Sequence, residues 1–95
     1  MSGVYLIHFS EPIAHARHYL GSAKSLNRRL KQHWKGAGAR LMGVVRDRGI
    51  GWSVARVWPA RDARSARLIE RRLKRQHGSV KLCPICRAAA RATVR

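Results

Sequence analysis

The sequence predicts a small α+β domain, and three observations support this. Residues 3–9, a segment around Tyr19 and residues 52–58 alternate apolar and polar side chains as strands do. Two basic segments, one after Tyr19 and one after Asp62, repeat apolar residues at helical spacing. The 95 residues suffice for one domain, residues 1–95, and are too few for two.

The charge of the chain indicates its class of partner. The formal net charge is +17, from 21 Lys and Arg against 4 Asp and Glu. Such a chain repels itself unless anions offset the charge, so nucleic acid is the expected partner. Ribosomal and architectural proteins are equally basic, so charge does not separate binding from catalysis. No run approaches the roughly 18 apolar residues of a membrane span, and no signal-peptide pattern is present, so we expect a cytoplasmic protein without a membrane partner.

The first strand, residues 3–9, reads as half-buried and alternates two sets of side chains. One face holds Tyr5, Ile7 and Phe9, and the other holds Val4, Leu6 and His8. Residues 10–12, Ser-Glu-Pro, should form the turn, after which the chain resumes at residues 15–20 with Tyr19 pointing away from His18 and Leu20. A connection this short favours an antiparallel pair.

The first helix should begin after Ser22 or Ser25, whose hydroxyl can cap it, and end near Trp34 or Lys35. Gly36 suits the left-handed residue that follows a helix. A step of about 100° per residue divides the helix into two faces. Leu26, Arg29, Leu30 and His33 share one arc, and Arg28, Lys31 and Lys35 point the other way. Residues 41–45 fit a short helix or a strand.

The third strand should span residues 52–58, with Trp52, Val54, Arg56 and Trp58 on one face, and end at Pro59. Asp62 can cap a second helix over residues 63–77, which Gly78 ends. The apolar arc of that helix contains Ala66, Ile69, Glu70, Leu73 and His77.

Glu70 is the most informative residue of the second helix. A carboxylate on a core-facing stripe pays desolvation unless a cation or a metal compensates. A structural ion pair with one of the many arginines would explain it, and so would a metal-binding or acid–base role. A hard cation such as Mg²⁺ suits one carboxylate plus waters and phosphate oxygens.

Two further pairs of residues could contribute to a phosphate site. Arg29 and His33 stand four apart on a helix and project together, which would let one bind a phosphate while the other exchanges a proton. A solvated basic helix is the alternative. Tyr5 and Tyr19 would place hydroxyls on neighbouring strands, although tyrosine in strands also serves simply as packing.

These residues together resemble the GIY-YIG nuclease superfamily. Gly3-Val4-Tyr5 is similar to the first signature triplet and Tyr19-Leu20-Gly21 to the second. Arg29 and His33 follow Tyr19 by ten and fourteen residues, and Glu70 lies on a later helix, as in the family order. The resemblance covers residues 3–86. The loop at residues 36–40 is similar to the small standalone branch, related to the nuclease domains of structure-specific repair endonucleases.

The resemblance implies a three-stranded antiparallel sheet flanked by helices, and hydrolysis of double-stranded or branched DNA with one Mg²⁺ or Mn²⁺ ion. Glu70 would bind the metal, and Arg29 would stabilise charge on the scissile phosphate. Tyr5, Tyr19 and His33 would orient or deprotonate the attacking water, and the resemblance does not say which is the base. We assign contacts with the DNA to Ser22, Lys24, Arg28, Lys31, Lys35 and Arg40.

One departure from the family pattern leaves an alternative function open. Members often carry an asparagine after the glutamate helix, whereas residues 81–86 here read Lys-Leu-Cys-Pro-Ile-Cys and Asn27 is the only asparagine in the sequence. A catalytically weak or inactive relative that binds nucleic acid is therefore the second hypothesis. An RNA-binding or ribosome-associated protein is a third.

Cys83 and Cys86 have a spacing typical of metal or redox chemistry. They could form half of a zinc site, completed by His77 or by His15 and His18. We expect two partly buried thiols rather than zinc, with a redox role less favoured still. Residues 87–95, rich in Ala and Arg, are expected to be a flexible basic tail.

Overall fold

The structure, a computed structural model, describes residues 1–76 and 79–93 as an antiparallel sheet with helices on both faces. The three strands are β1 (Ser2–Ile13), β2 (Ala16–Ala23) and β3 (Trp52–Ala60). The helices are α1 (Leu26–Trp34), α2 (Arg40–Asp47), α3 (Ala63–Arg75), α4 (Ser79–Leu82) and α5 (Pro84–Thr93). The order β2-β1-β3 makes β1 the central strand, which confirms the predicted α+β class. Within the described ranges, no helix is both long and apolar enough to cross a membrane.

The central strand β1 is buried on both faces, which differs from the half-buried strand that its alternation predicts. Tyr5, Ile7 and Phe9 pack against α1 and α2, as a shared face requires. Val4 points to the other face and packs against α3. Helices cover both faces of the sheet, so most side chains of β1 are buried on whichever face they point to, and few of them are polar.

The turn between β1 and β2 lies later than the sequence predicts. Residues 10–12 belong to β1, and the turn is at Ala14 and His15, with Ala14 at a φ of 53°. The regular pairing lapses between His8 and Ile13, where Pro12 supplies no N–H to a ladder. The prediction of a turn at residues 10–12 is therefore wrong. The later turn and the register shift between His8 and Ile13 together set His8 directly opposite His18.

A β-bulge in β3 changes which tryptophans share a face. The pairing with β1 skips Ala55, which shifts the alternation of the strand at that point. Trp52 consequently packs on the side of α1 and α2, whereas Trp58 packs on the side of α3. The prediction that Trp52, Val54, Arg56 and Trp58 share one face is wrong for this reason. Pro59, predicted to end the strand, lies inside it.

The helix ends mostly follow the sequence signals. Ser25, rather than Ser22, caps α1 by accepting a hydrogen bond from the Arg28 N–H. Gly36 has a φ of 77°, the left-handed conformation predicted for it. Asp62 caps α3, and residues 41–45 are helical within α2.

The C-terminal region contains more helix than expected. Residues 87–93 belong to α5, whereas the alanine- and arginine-rich composition predicts a flexible tail. Alanine and arginine are strong helix formers, which explains the difference. Residues 94–95, the predicted stop at Gly78 and the predicted inward position of His77 lie outside the described residues.

We predict that Gly21→Ala destabilises the fold through Tyr5. A Cβ at Gly21 would lie 2.6 Å from the Tyr5 hydroxyl oxygen, so the phenol must shift. We expect the free energy of unfolding to fall by about 1–3 kcal/mol in chemical denaturation. Gly51→Ala is the matched control, because its Cβ would have its nearest neighbour at 3.4 Å, the Ser10 hydroxyl oxygen. Equal effects of the two substitutions would contradict the close packing of Tyr5 on Gly21.

Candidate functional site

His33 lies at the centre of the candidate active site, with 1% of its surface exposed. Its Nδ1 is 2.9 Å from the Ala37 carbonyl oxygen, which can only accept, so Nδ1 carries the proton. The neutral ring then has its Nε2 lone pair free to accept the Tyr5 hydroxyl, 2.6 Å away. Strand β1 and helix α1 are therefore joined by a buried hydrogen bond of defined direction.

The loop after α1 holds His33 in this orientation. Gly36 and Gly38 both have positive φ, and together they turn the backbone so that the carbonyl between them faces the ring. A Cβ at Gly38 would lie 3.1 Å from the His33 ring and 3.3 Å from Arg29 Cδ. The loop backbone thus packs against Arg29 and His33, the two candidate site residues of α1.

Tyr19 completes an aromatic cluster with Tyr5 and His33. Its ring centroid is 6.1 Å from that of Tyr5 and 5.6 Å from that of His33, which it meets edge-on. Tyr5 has no exposed surface, whereas Tyr19 is only half-buried. Tyr19 is therefore the member of the cluster that a substrate or a water can reach.

Burial keeps both partners of the central hydrogen bond neutral. It raises the pKa of Tyr5, as does neighbouring Tyr19, and Arg29 offsets only part of the rise. Burial also lowers the pKa of His33; the bond to the Ala37 carbonyl opposes this, and the Arg29 charge adds to it. A neutral phenol and a neutral imidazole at neutral pH follow from these shifts.

Arg29 lies between two open grooves that are lined by cations. The first, of about 460 Å³, is bordered by Arg29 together with Lys24 and Arg28. The second, of about 290 Å³, is bordered by Arg29 together with Ser22, Lys24 and Arg67. It runs between α1 and α3 past the end of β2. A polyanion that follows either groove would place a phosphate next to Arg29.

Glu70 approaches the same place from α3, on the opposite face of the sheet from His33. Its carboxylate pairs with Lys74 Nζ at 2.7 Å, so its partner on this helix is a lysine and not one of the arginines that the sequence led us to expect. Burial raises the pKa of Glu70, but Lys74, the Ser22 hydroxyl and Arg29 together outweigh it and hold the pKa below its ordinary value. Glu70 is thus ionised, and it is linked to the end of β2 through Ser22.

The remaining residues that we assign to DNA contact fall into two groups. Ser22, Lys24 and Arg28 line the grooves beside Arg29. Lys31, Lys35 and Arg40 are exposed but do not line these grooves. The grooves therefore bring together Lys24, which follows β2, and the cations of the first turn of α1. They add Arg67 of α3, which our assignment omitted.

A second cluster can hold a metal. The ligand atoms of His8, His18, Cys83 and Cys86 all lie within 4.8 Å of one another. Two imidazoles and two thiols suit zinc far better than magnesium, which prefers oxygen ligands. Burial lowers the pKa of both imidazoles, and burial together with Cys83 raises the pKa of Cys86. The two imidazoles and the Cys86 thiol are therefore neutral where no cation is bound.

The sequence identified three of these four residues. Cys83, Cys86 and His18 are brought together, but the predicted pair of His15 and His18 is wrong, because His15 is exposed in the β1–β2 turn and His8 takes its place. His77, the other predicted ligand, lies outside the described residues. His8 was missed because a turn at residues 10–12 gives the hairpin the wrong register. The observed pairing of His8 with His18 needs both the turn at residues 14–15 and the register shift between His8 and Ile13.

Comparison with protein-family models, with curated proteins and with solved structures finds no match for this chain. Its function is therefore inferred from its own residues and their geometry.

We predict that His33 makes the fold less stable in acid. The pKa of His33 is lowered on folding, so the unfolded chain takes up the proton first as the pH falls. The contribution of neutral His33 to the free energy of unfolding is therefore complete above its ordinary pKa of 6.5. It is lost as the pH falls from there through the pKa of the folded state. The groups that face it are Tyr5, Tyr19 and Arg29, and none offers an anion to stabilise the imidazolium.

His33→Gln should therefore show a shallower loss of unfolding free energy than wild type between pH 7 and pH 5, measured by urea denaturation at each pH. The other histidines are common to both proteins, so their contributions cancel in the comparison. Identical slopes would show that His33 does not titrate differently in the folded state.

Proposed function

We propose that this protein is a metal-dependent endonuclease that hydrolyses DNA phosphodiester bonds, built as a GIY-YIG-type domain. The observation that carries the proposal is that Arg29 borders grooves lined by cations and lies one helical turn before His33, whose ring contacts Tyr5 and Tyr19. The Glu70 carboxylate reaches the same end of β2 from α3. Phosphodiester hydrolysis needs a cation for the phosphate, a carboxylate for a metal and polar groups for a water.

Arg29 is the residue that would bind the scissile phosphate. It is half-buried, it is held by packing against Gly38, and it borders both grooves. A fixed guanidinium costs little reorganisation when charge develops on the phosphate, and it can bond two oxygens at once. Lys24 and Arg28, on the groove walls, would hold the DNA backbone on either side.

Glu70 and Ser22 form a donor set that fits Mg²⁺ or Mn²⁺. A carboxylate and a hydroxyl are hard oxygen ligands, and an open groove leaves room for waters and phosphate oxygens. The ion would neutralise charge on the oxygens of the reacting phosphate. Lys74 forms an ion pair with the Glu70 carboxylate in this structure, but the Lys74 side chain is 58% exposed, so it can move into solvent when a metal binds.

Tyr19 is the group that would touch the attacking water or the phosphate, because it alone of the aromatic cluster is accessible. Tyr5 and His33 would act behind it as positioning residues. Their hydrogen bond fixes both rings, and both rings contact that of Tyr19.

Groove cations contact the DNA backbone, which carries no direct sequence information. We therefore extend the proposal to branched or flapped DNA, which a nuclease can select by shape. Binding without cleavage is the alternative function, and the ion pair between Lys74 and Glu70 favours it, because that pair occupies the proposed metal ligand.

We predict that Glu70→Gln lowers nicking of supercoiled plasmid and of a flap substrate by about 100-fold or more in Mg²⁺ or Mn²⁺, because the side chain keeps its size but loses the charge that binds the metal. Glu11→Gln, at an exposed carboxylate of β1, should cleave as wild type does. The same residual cleavage in wild type and Glu70→Gln would leave the binding protein as the better description.

Arg29 and Arg28 should separate catalysis from binding. Arg29→Ala should lower kcat by about 10²–10³-fold, the cost of removing one preorganised charge donor, with a smaller change in affinity. Arg28→Ala, one residue away on the exposed face, should weaken binding and reduce the salt slope by about one while kcat changes little. Equal losses of kcat in the two variants would contradict a specific role for Arg29.

A further inference from the structure

We propose that His8, His18, Cys83 and Cys86 form a closed, structural zinc site that fastens the C-terminal helices to the β1–β2 hairpin. The site lies on the α3 side of the sheet, away from the cluster of Tyr5, Tyr19 and His33. The proposal is therefore independent of the nuclease activity.

Four of the six separations between the ligand atoms are those of a tetrahedral zinc centre. Zinc–nitrogen bonds of about 2.0 Å and zinc–sulfur bonds of about 2.3 Å give tetrahedron edges of roughly 3.3 Å between nitrogens and 3.5 Å between nitrogen and sulfur. His8 Nδ1 lies 3.3 Å from His18 Nε2 and 3.5 Å from each cysteine sulfur. His18 Nε2 lies 3.2 Å from Cys86 Sγ. The other two separations involve Cys83 Sγ and are within 4.8 Å, so this sulfur would move inward when one ion binds.

The two halves of the site are each set by local structure. His8 and His18 are direct partners across the antiparallel hairpin, so their side chains leave the same face side by side. Cys83 comes immediately before α5, and the Cys86 N–H lies 3.5 Å from Cys83 Sγ. The start of a ten-residue helix carries partial positive charge, which favours thiolates there.

The donor set also argues against a simple thiol pair. A pair of buried thiols, or a disulfide between them, needs no imidazoles, yet the strand pairing presents two at 3.2–3.5 Å from the sulfurs. Two thiolates and one Zn²⁺ have no net charge, so the site adds nothing to the repulsion within a chain of charge +17.

The expected role is structural. Four protein ligands leave no position for a water, which is the mark of a structural rather than a catalytic zinc site. The ligands join β1 and β2 to the start of α5, and the same segment borders β3 through a groove lined by Arg56 and Arg87. Zinc would thereby fix where the basic C-terminal helix lies on the sheet.

The first test is the metal content of the protein as isolated under reducing conditions. Elemental analysis should find about one zinc ion per chain. Cys83→Ser and His8→Ala should lose most of it, whereas His15→Ala, at an exposed histidine in the adjacent turn, should keep it. Retention of full zinc by Cys83→Ser or His8→Ala would overturn the proposal.

The second test does not depend on the folding of a variant. Wild type stripped of metal and titrated with Co²⁺ should develop the intense ligand-field bands of tetrahedral cobalt and a thiolate-to-cobalt charge-transfer band, with one ion bound per chain. Weak octahedral bands, the absence of binding, or a zinc-free protein with a Cys83–Cys86 disulfide would each overturn the proposal.

Glu70→Gln should retain its zinc and its cobalt spectrum, which separates failure of this proposal from failure of the proposed function. Strong chelators would strip zinc as well as Mg²⁺. The nicking assays should therefore compare added Mg²⁺ with no added divalent metal on protein that keeps its zinc.

Discussion

The buried hydrogen bond from Tyr5 to His33 is the constraint on which the candidate active site depends. It requires Gly21 opposite Tyr5, since a Cβ there would lie 2.6 Å from the phenol oxygen. It also requires the glycines at 36 and 38, whose positive φ angles let the intervening Ala37 carbonyl fix the imidazole tautomer. Arg29 lies one turn before His33 on α1, so fixing His33 also fixes the place of Arg29 beside the cationic grooves.

Strand β1 serves two sites because successive residues point to opposite faces. Tyr5 faces α1 and α2, and His8, three residues later, faces the cysteines that flank the start of α5. The oxygen ligands at Glu70 suit a hard ion, whereas the nitrogen and sulfur ligands at His8 suit zinc. The two proposed metal centres therefore differ in chemistry as well as in position.

Local signals in the sequence predicted much of this structure. Alternation located the three strands, and the helical step placed Arg29 and His33 on the inner arc of α1, where His33 is buried. The errors come from pairing between strands, which a single segment does not reveal. Pro12 reads as a turn but lies in β1, and the bulge at Ala55 moves Trp52 away from the face of Trp58. The first of these errors also concealed His8 as a metal ligand.

The ion pair of Glu70 shows a different limit. Lys74 stands four residues later on the same helix, so the spacing alone made it a candidate, but side-chain partners depend on reach and exposure as well as on spacing.

Anomalous diffraction from a crystal of the protein with a short DNA duplex and Mn²⁺ would test most directly whether Glu70 binds a metal beside the DNA. We expect a manganese peak beside the Glu70 carboxylate, with a DNA phosphate bound by Arg29. A duplex seated elsewhere, with no manganese at Glu70, would contradict it.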